Sequence, residues 1–398
     1  MVGHTVKQIL RVSWLIWGDE RGGVASAIRS HVELLARNGQ TVFLLSFGPG
    51  ALAAELSQAG YAVHLLGEPL KTHQRYAAYG FSPLGVLRRG AVALRLRQVL
   101  RRALRAVSPP QVLILPWADL IPLAGPVAKE LRLALVMEMP SAPSRYRFDL
   151  NQRLYAWMVR RWRVLILANS DYTAAGLSRV PGVKVMTPAI DPARFDPGRV
   201  RPVSRAELKL PLGVPVMGLI ARLDPAKGAD LAIAALDQLG KEQPDLYLLL
   251  IGGPLDSAWA QTLRADAEAR GVAARVRWVG PVSDPERYWG VCDLALNAYK
   301  GAEAFGLSLV EAMLMERPVV AHARGQPGNS VMEGQTGWLF ETPEVQALVA
   351  ALRRAFAVRS HWPRIGSAAR QEALRRFASP GHGARYLALL RAHAEGGV

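Results

Sequence analysis

Short apolar runs alternate along the chain with longer segments in which apolar residues recur at helical spacing. Turn residues separate the two kinds of segment. Continuous apolar runs are typical of parallel strands covered on both faces, and alternating strands and helices predict an α/β fold. The predicted strands are QILRVSWLIW, TVFLLSF, YAVHLL, QVLILP, LALVME and VLILANS in the first half, and VPVMGLI, LYLLLIG, RVRWVG, LALNAY, RPVVAH and GWLF in the second. Two such sets predict two doubly wound domains.

A segment rich in proline and charge separates the two sets. It reads DPARFDPGRVRPVSRAELKLPLG, residues 191–213, and suits an interdomain connection. We therefore predict an N-terminal domain over residues 1–195 and a C-terminal domain over residues 196–375. The last stretch, 376–398, contains ARYLALLRAHA and predicts a helix that packs back toward the N-terminal domain.

Composition narrows the class of protein. The chain has 398 residues and one cysteine, Cys292, which excludes a disulfide framework and favours a reducing compartment. No apolar run approaches the length that spans a bilayer. The early run VSWLIW predicts a first strand and not a signal peptide. We therefore expect a cytoplasmic protein.

Positive charge is concentrated in the first half. The net charge is +17, and residues 1–195 carry 25 Lys and Arg against 11 Asp and Glu, a net +14. Seven arginines lie in VLRRGAVALRLRQVLRRALRAV, residues 86–107, where apolar residues recur at helical spacing. The second basic segment is RYRFDLNQRLYAWMVRRWR, residues 145–163, and its arginines are interleaved with Tyr146, Phe148, Tyr155, Trp157 and Trp162.

Two interpretations of these basic segments stay open. Their apolar sides either belong to the core, with solvated arginines opposite, or bind anionic lipid headgroups. Together with the charge asymmetry, the second interpretation predicts contact with the inner face of a membrane, or an anionic, lipid-linked acceptor. Charge alone also permits nucleic-acid binding, but no recognition motif accompanies it, so we expect no nucleic-acid partner.

The stretch GLIARLDPAKGADLAIAAL predicts an anion site. A strand ends at Arg222, a loop carries Lys227 and Gly228, and a helix follows. Free N–H groups and the dipole at a helix N-terminus attract phosphate. An arginine can hold phosphate through two parallel bonds, and a lysine adds a point charge. The alternative interpretation is two solvated surface cations.

The stretch GAEAFGLSLVEAM carries two glutamates eight positions apart, Glu303 and Glu311. We predict a helix that starts near Phe305, with Glu303 on the loop before it and Gly306 keeping its first turn open to a ligand. Glu303 would then meet hydroxyls of a neutral group and Glu311 a ribose diol. The alternative is that Glu303 favours the positive helix end and Glu311 is a surface charge.

In combination these motifs resemble a known family. Arg222-x4-Lys227-Gly228, followed about 75 residues later by Glu303-x7-Glu311 in EAFGLSLVEA, resembles the retaining glycosyltransferases of family four. The resemblance covers most of the chain and is strongest over residues 215–340. The bacterial mannosyltransferases that act on phosphatidylinositol are similar in layout. The family implies the GT-B fold, in which two Rossmann-like domains face each other across a cleft.

The resemblance also implies a role for each matching residue. Arg222, Lys227 and Glu303 would be catalytic: the two cations bind the diphosphate of a sugar nucleotide, and Glu303 contacts hydroxyls of the donor sugar. Glu311 would bind the ribose. The remaining substrate-binding positions are Gly22 and Gly23 for the donor phosphate, Val282 for the nucleobase, and the amides of Phe305, Gly306 and Leu307 for phosphate and sugar.

The sequence departs from the family pattern in two places. Many relatives carry a sugar-facing histidine at the end of an N-domain strand, where this chain has Glu138 in LVMEMPSAP. Glu138 either contacts a sugar hydroxyl or is structural. Relatives often show P-N-G-V-D before the linker, where this chain has TPAID with Asp191. We interpret His31, His64, His73 and His322 as structural or incidental, because no partner residue is evident for them in the sequence.

The resulting hypothesis is a retaining hexosyltransferase that moves sugar from a nucleotide-diphosphate sugar to a hydroxyl acceptor, in polysaccharide, glycolipid or other glycoconjugate synthesis. No D-x-D motif occurs, so we expect no metal and no cofactor beyond the sugar-nucleotide substrate. Two alternatives stay open. One is another GT-B enzyme, a sugar-nucleotide epimerase or an inverting transferase. The other is a catalytically silent GT-B scaffold that binds a partner.

Overall fold

The computed structural model describes residues 9–18, 20, 22–67, 83–107, 109–141, 150–378 and 381–396, with 83–89 and 150–151 described by their backbone alone. The start of the second basic segment, with Tyr146 and Phe148, and also His73, lie outside the described residues. The chain divides into two compact units, Met1–Ala189 with Pro380–Val398, and Ile190–Ser379.

The first unit contains a parallel sheet in the order β3-β2-β1-β4-β5-β6-β7. Its strands are β1 (Arg11–Ile16), β2 (Thr41–Ser46), β3 (Ala62–Leu65), β4 (Val112–Leu115), β5 (Ala134–Met139), β6 (Val164–Ala168) and β7 (Lys184–Val185). Its helices are α1 (Gly22–Arg37), α2 (Ala51–Gln58), α3 (Pro83–Ala106), α4 (Ile121–Leu131), α5 (Leu150–Trp162), α6 (Asp171–Ala175) and, from the end of the chain, α14 (His382–Glu395).

Both faces of the central strands of this sheet are buried, which explains their continuous apolar runs. Along β1, Trp14 and Ile16 join a core with α1 and α14, while Leu15 joins the opposite core. Helix α3 contributes Leu96, Leu100 and Leu104 to that second core. The apolar side of the first basic segment is therefore core over its described part.

The second unit contains a parallel sheet in the order β10-β9-β8-β11-β12-β13. Its strands are β8 (Val216–Ile220), β9 (Tyr247–Ile251), β10 (Val276–Gly280), β11 (Leu294–Asn297), β12 (Val319–His322) and β13 (Gly337–Phe340). Its helices are α7 (Ala229–Leu239), α8 (Ala258–Ala269), α9 (Pro285–Trp289), α10 (Leu307–Leu314), α11 (Pro327–Ser330), α12 (Val345–Ala357) and α13 (Trp362–Phe377). Two parallel Rossmann-like sheets agree with the predicted α/β class.

The boundaries between the units differ from the predicted ones. The first unit ends at Ala189 and not at residue 195, because Ile190 and Phe195 are buried in a core of the second unit. Arg370 on α13 also donates to the Phe195 carbonyl at 2.7 Å. The second unit runs to Ser379 and not to 375, and the final segment belongs to the first unit.

Among the described residues, no helix combines the length and the apolar character needed to cross a bilayer.

Candidate active site

The two sequence motifs with cations and glutamates lie at one place in the second sheet. The strand order reverses between β8 and its neighbour β11, and the carboxyl ends of parallel strands at such a switch point form a ligand crevice. Arg222 follows β8, and Glu303 follows β11. The fold therefore unites residues that lie about 80 positions apart in the chain.

The loop after β8 is built around Asp224. Its Oδ1 accepts the Ala226 N–H at 3.1 Å and starts a 3₁₀ turn over Pro225–Lys227. Its Oδ2 lies 3.0 Å from Nη2 of Arg222, whose side chain is 64% exposed. Arg222 is thus held near the loop by a carboxylate and is still open to a ligand.

Glycine is required where this loop enters α7. Gly228 has a φ of +75°, and a Cβ there would lie 2.0 Å from the carbonyl oxygen of Ala298. The close approach joins this loop to the loop after β11. A hydrogen bond of 2.8 Å from the Lys300 N–H to the Ala226 carbonyl fixes the same two loops together.

Lys227 connects the two motifs. Its Nζ lies 3.3 Å from Oε2 of Glu303 and 4.2 Å from the centroid of the Tyr299 ring. Both members of the ion pair are largely but not fully buried, at 25% and 19% side-chain exposure. The carboxylate and the ring face hold the ammonium in a position from which it can meet an anion.

The backbone of Glu303 is fixed on both sides. Its N–H donates to the Arg324 carbonyl at 3.0 Å, and its carbonyl accepts the Gln326 N–H at 2.8 Å. Gly325 between them has a φ of +104°, and a Cβ there would lie 2.3 Å from the Glu303 carbonyl oxygen. The loop after β12 therefore positions Glu303.

Helix α10 begins at Leu307, two residues later than the start predicted near Phe305. Gly306 precedes the helix with a φ of +83°, a conformation that favours glycine and ends the loop abruptly. Phe305 lies in the core, edge-on to Phe377. Within the described part of the chain, the N–H groups of Phe305, Gly306 and Leu307 have no acceptor, so they are available to an anion.

Glu311 lies on α10 and is enclosed by protein on most sides. Burial raises its pKa to about 8, although Arg194 and the indole N–H of Trp289 favour the anion; Glu286 adds to the rise. A carboxyl in this environment titrates in the neutral range and differs from a solvated surface charge. These surroundings do not favour the interpretation of Glu311 as an ordinary surface glutamate.

Val282 follows β10, and its side chain packs in the same apolar cluster as Leu307 and Val310 of α10. The second unit thus contains Arg222, Lys227, Val282, Glu303, Phe305, Gly306, Leu307 and Glu311. Gly22, Gly23 and Glu138 belong to the first unit.

In the first unit, Gly22 starts α1 with a φ of +58°. A Cβ on Gly23 would meet nothing within 4 Å, and both glycines are exposed. This helix N-terminus therefore has an open backbone, as the sequence predicted. Their contact with donor phosphate stays a prediction.

A buried glutamate that the sequence analysis missed holds the loop before these glycines. Glu20 is 2% exposed and accepts the N–H groups of Trp17 at 2.8 Å and Gly18 at 2.9 Å, and the indole N–H of Trp117 at 3.2 Å. Burial raises the pKa of Glu20, and the three donors oppose that rise. The sequence signal that could have identified Glu20 is an acidic residue inside a glycine-rich loop.

Glu138 lies next to the last residue of β5 and has three partners inside its own unit. Nδ1 of His31 lies 2.9 Å from Oε1, the Trp14 indole donates at 3.3 Å to Oε2, and the Tyr386 hydroxyl donates to Oε1. Burial disfavours the anion, but His31, Tyr386 and Trp14 together lower its pKa. These contacts favour the structural interpretation of Glu138. Its contact with a sugar stays a prediction.

The second unit of the chain matches a known protein family. Residues 200–372 match the family described as glycosyl transferases group 1. A D-inositol 3-phosphate glycosyltransferase of Corynebacterium efficiens is 35% identical over 167 residues, 40% of this chain and 39% of that protein. A GDP-mannose-dependent alpha-(1-6)-phosphatidylinositol monomannoside mannosyltransferase of Mycolicibacterium smegmatis is 28% identical over 268 residues, 65% of this chain and 67% of that protein. The chain thus spans about two fifths of the inositol phosphate relatives it matches.

Solved structures with the same architecture cover nearly the whole chain. Anabaena Alr3699/HepE in complex with UDP and glucose superimposes with a TM-score of 0.77 and 22% identity, over 96% of this chain and 99% of that one. WaaG, a glycosyltransferase involved in lipopolysaccharide biosynthesis, has a TM-score of 0.67 and 16% identity, over 95% and 99%. The chain therefore has the GT-B fold, and its residues 200–372 are a glycosyltransferase group 1 domain.

Proposed function

We propose that this protein is a retaining glycosyltransferase that moves a sugar from a nucleotide-diphosphate sugar to a hydroxyl acceptor. The observation that carries the proposal is the meeting of Lys227 with Glu303 at the switch point of the second sheet, beside Arg222 and the start of α10. Two cations and free amides suit a diphosphate, and a fixed carboxylate suits sugar hydroxyls. The group 1 domain and the names of the relatives support the same class.

Bond cleavage at the anomeric carbon places growing negative charge on the leaving diphosphate. Arg222, Lys227 and the amides at the start of α10 stabilise that charge as it develops. A double displacement needs a carboxylate close to the anomeric carbon, whereas Glu303 is paired with Lys227. We therefore favour a front-face route, in which the leaving phosphate takes the acceptor proton and the anomeric configuration is kept.

We also propose that transfer is independent of metal, since the site's own cations can balance the diphosphate. Turnover that persists in excess EDTA supports this. A strict requirement for a divalent cation contradicts it.

We also propose a chemical class for the acceptor. The relatives' names point to inositol phosphate or phosphatidylinositol derivatives, and a net +14 over residues 1–195 suits an anionic or lipid-linked acceptor. Such a product belongs to glycolipid, polysaccharide or related glycoconjugate synthesis.

A membrane contact is supported by apolar side chains that stand outward on basic helices. On α5, Leu154 and Trp157 are 53% and 52% exposed beside the exposed Arg153, Arg160 and Arg161, and on α3 Leu94 is 59% exposed. Basic helix faces with exposed Trp and Leu suit anionic headgroups. Sedimentation with phosphatidylglycerol-containing vesicles at physiological salt tests this, with Leu154→Ser and Trp157→Ser expected to weaken binding. Failure of the unaltered protein to sediment contradicts the membrane contact.

The central experiment is a thermal-shift screen with UDP-, GDP-, ADP- and dTDP-sugars, followed by product analysis with the best binder. We expect one nucleotide class to raise the melting temperature and to give an α- or β-linkage that matches the donor anomer. An inverted product favours another GT-B transferase, and interconversion of the donor favours an epimerase. Failure of every donor to bind favours a silent scaffold.

A further inference from the structure

Arg194 connects three parts of the second unit. Its Nε and Nη2 lie 3.0 Å and 2.9 Å from the same carboxylate oxygen of Glu286, Oε2. Nη2 also donates to the Ser283 carbonyl at 2.5 Å. The guanidinium lies over the ring of Phe195, 5.4 Å from its centroid, and Phe195 is buried. One side chain from the start of the unit is thus fixed to the loop after β10 and to α9.

Both contact points adjoin residues of the proposed donor site. Ser283 directly follows Val282, the residue predicted for the nucleobase. Glu286 lies on α9, which packs against α10 and faces Glu311, the residue predicted for the ribose. Trp289, on the same short helix, is 1% exposed, and its indole favours the ionised form of Glu311. Arg194 therefore reaches the surroundings of base and ribose through other residues.

Two charged side chains outside α10 act on the Glu311 carboxyl. Arg194 from the start of the unit favours the anion, and Glu286 from α9 disfavours it. From α13, Arg370 donates to the carbonyls of Phe195 and Leu314. Since Arg194 and Glu286 are paired with each other, the charge on Glu311 depends on both members of the pair.

We infer that Arg194 and Glu286 are positioning residues for the donor nucleoside: their ion pair fixes the loop after Val282 to α9, beside the ribose-binding carboxyl, without touching the ligand. This inference rests on the proposed function. Arg194, at the start of the second unit, would then affect nucleotide affinity although it lies outside the Arg222–Gly228 and Glu303–Glu311 motifs.

A pH dependence follows, with opposite signs for the two residues. A ribose diol donates two hydrogen bonds most readily to an ionised carboxylate, whose oxygens are both acceptors. Protonation of Glu311, which burial places at a pKa of about 8, should therefore weaken nucleotide binding. Removing the Arg194 charge raises that pKa, and removing the Glu286 charge lowers it.

The test is isothermal titration of UDP, GDP, ADP and dTDP into the full chain, with the nucleotide that binds then titrated between pH 6 and pH 9.5. We expect affinity to rise with pH in the unaltered protein. The midpoint of that rise should move up by about one pH unit in Arg194→Met and down by about one in Glu286→Gln. The matched controls are Arg353→Met and Glu242→Gln, which break an exposed ion pair elsewhere in the same unit. They should leave the midpoint unchanged.

The outcomes distinguish a failure of the positioning role from a failure of the proposed function. Binding whose midpoint is unchanged in both variants, or moves in the same direction in both, overturns the positioning role and leaves the proposed function intact. Absence of binding by all four nucleotides in the unaltered protein counts against the proposed function itself and takes this inference with it. If Arg194→Met does not fold, the direction of the shift in Glu286→Gln decides alone.

Discussion

Nζ of Lys227 lies 3.3 Å from Oε2 of Glu303, a residue 76 positions further along the chain. The first follows β8 and the second follows β11, the two strands at which the sheet order reverses. The pair therefore joins the anion-binding part of the site to the part assigned to the sugar. A ligand diphosphate would compete with the Glu303 carboxylate for the same ammonium.

Replacing Lys227 should slow transfer more than it weakens ground-state binding. The ammonium meets charge that grows only as the diphosphate leaves, and loss of one such group lowers kcat by about 10²-fold. Lys227→Ala should therefore show a kcat lowered by about that factor in steady-state assays with the best donor from the screen. Lys241→Ala changes an exposed lysine of the same unit and should leave kcat unaltered. Equal kcat values in both variants would remove Lys227 from the catalytic group.

The two glutamates should give different kinetic defects. Glu311→Gln should raise the Kd of the nucleotide by about 10- to 100-fold, since a hydrogen bond to an ionised group contributes about 1.5–3 kcal/mol. The measurement belongs at pH 9, because the pKa of Glu311 is about 8 and the carboxylate is then ionised. Glu303→Ala should mainly lower kcat. The reverse pattern, a Kd defect in Glu303→Ala and a kcat defect in Glu311→Gln, would exchange their roles.

The local pattern of apolar and polar residues predicted most of the strands. The features it did not predict depend on contacts between residues far apart in the chain. Each of the twelve predicted strands is present, whereas the short β7 (Lys184–Val185) is too brief to leave a pattern. Parallel strands bring their carboxyl ends together, so the meeting of the Lys227 and Glu303 motifs followed from the fold. The partners of Glu20, Arg194 and His322 lie up to 97 residues away, and no local spacing encodes such contacts. The late start of α10 depends on the backbone conformation of Gly306, which residue type permits but does not dictate.

His322 should prove necessary for the loop beneath Lys227. Its Nδ1 lies 2.8 Å from the Tyr299 carbonyl and its Nε2 3.2 Å from the Glu341 carbonyl, and the ring is 1% exposed. His322→Phe keeps a ring stacked near Phe340 but removes both polar contacts. It should lower the free energy of unfolding by about 1–3 kcal/mol, measured in urea, because a backbone carbonyl loses its N–H donor from the imidazole.

The same variant should also lower kcat, since Tyr299 carries the ring face that supports Lys227. His64→Phe, at an exposed position of the first unit, serves as the control and should change neither quantity. Unchanged unfolding in His322→Phe would return His322 to the incidental role that the sequence analysis gave it.

Glu138 should make the free energy of unfolding of the first unit depend on pH in the acidic range. Its folded pKa is lower than the ordinary value of 4.5 because His31, Tyr386 and Trp14 outweigh burial. An acid with a lowered pKa stabilises the fold above its unfolded pKa and loses that contribution as the pH falls through its folded pKa. Urea unfolding should therefore be level from pH 7 to about pH 5 and should weaken below about pH 4.5.

Tyr386→Phe provides the direct check of this acid dependence, since it removes one donor to the Glu138 carboxylate. At pH 7 it should lower the free energy of unfolding by about 1–3 kcal/mol. The difference from the unaltered protein should shrink below pH 4.5, where the carboxylate becomes protonated in both. Tyr61→Phe, a partly exposed tyrosine of the same unit, is the control. A Tyr386→Phe deficit that stays constant down to pH 3 would show that Tyr386 acts by packing alone, and that its hydroxyl does not sustain the charge on Glu138.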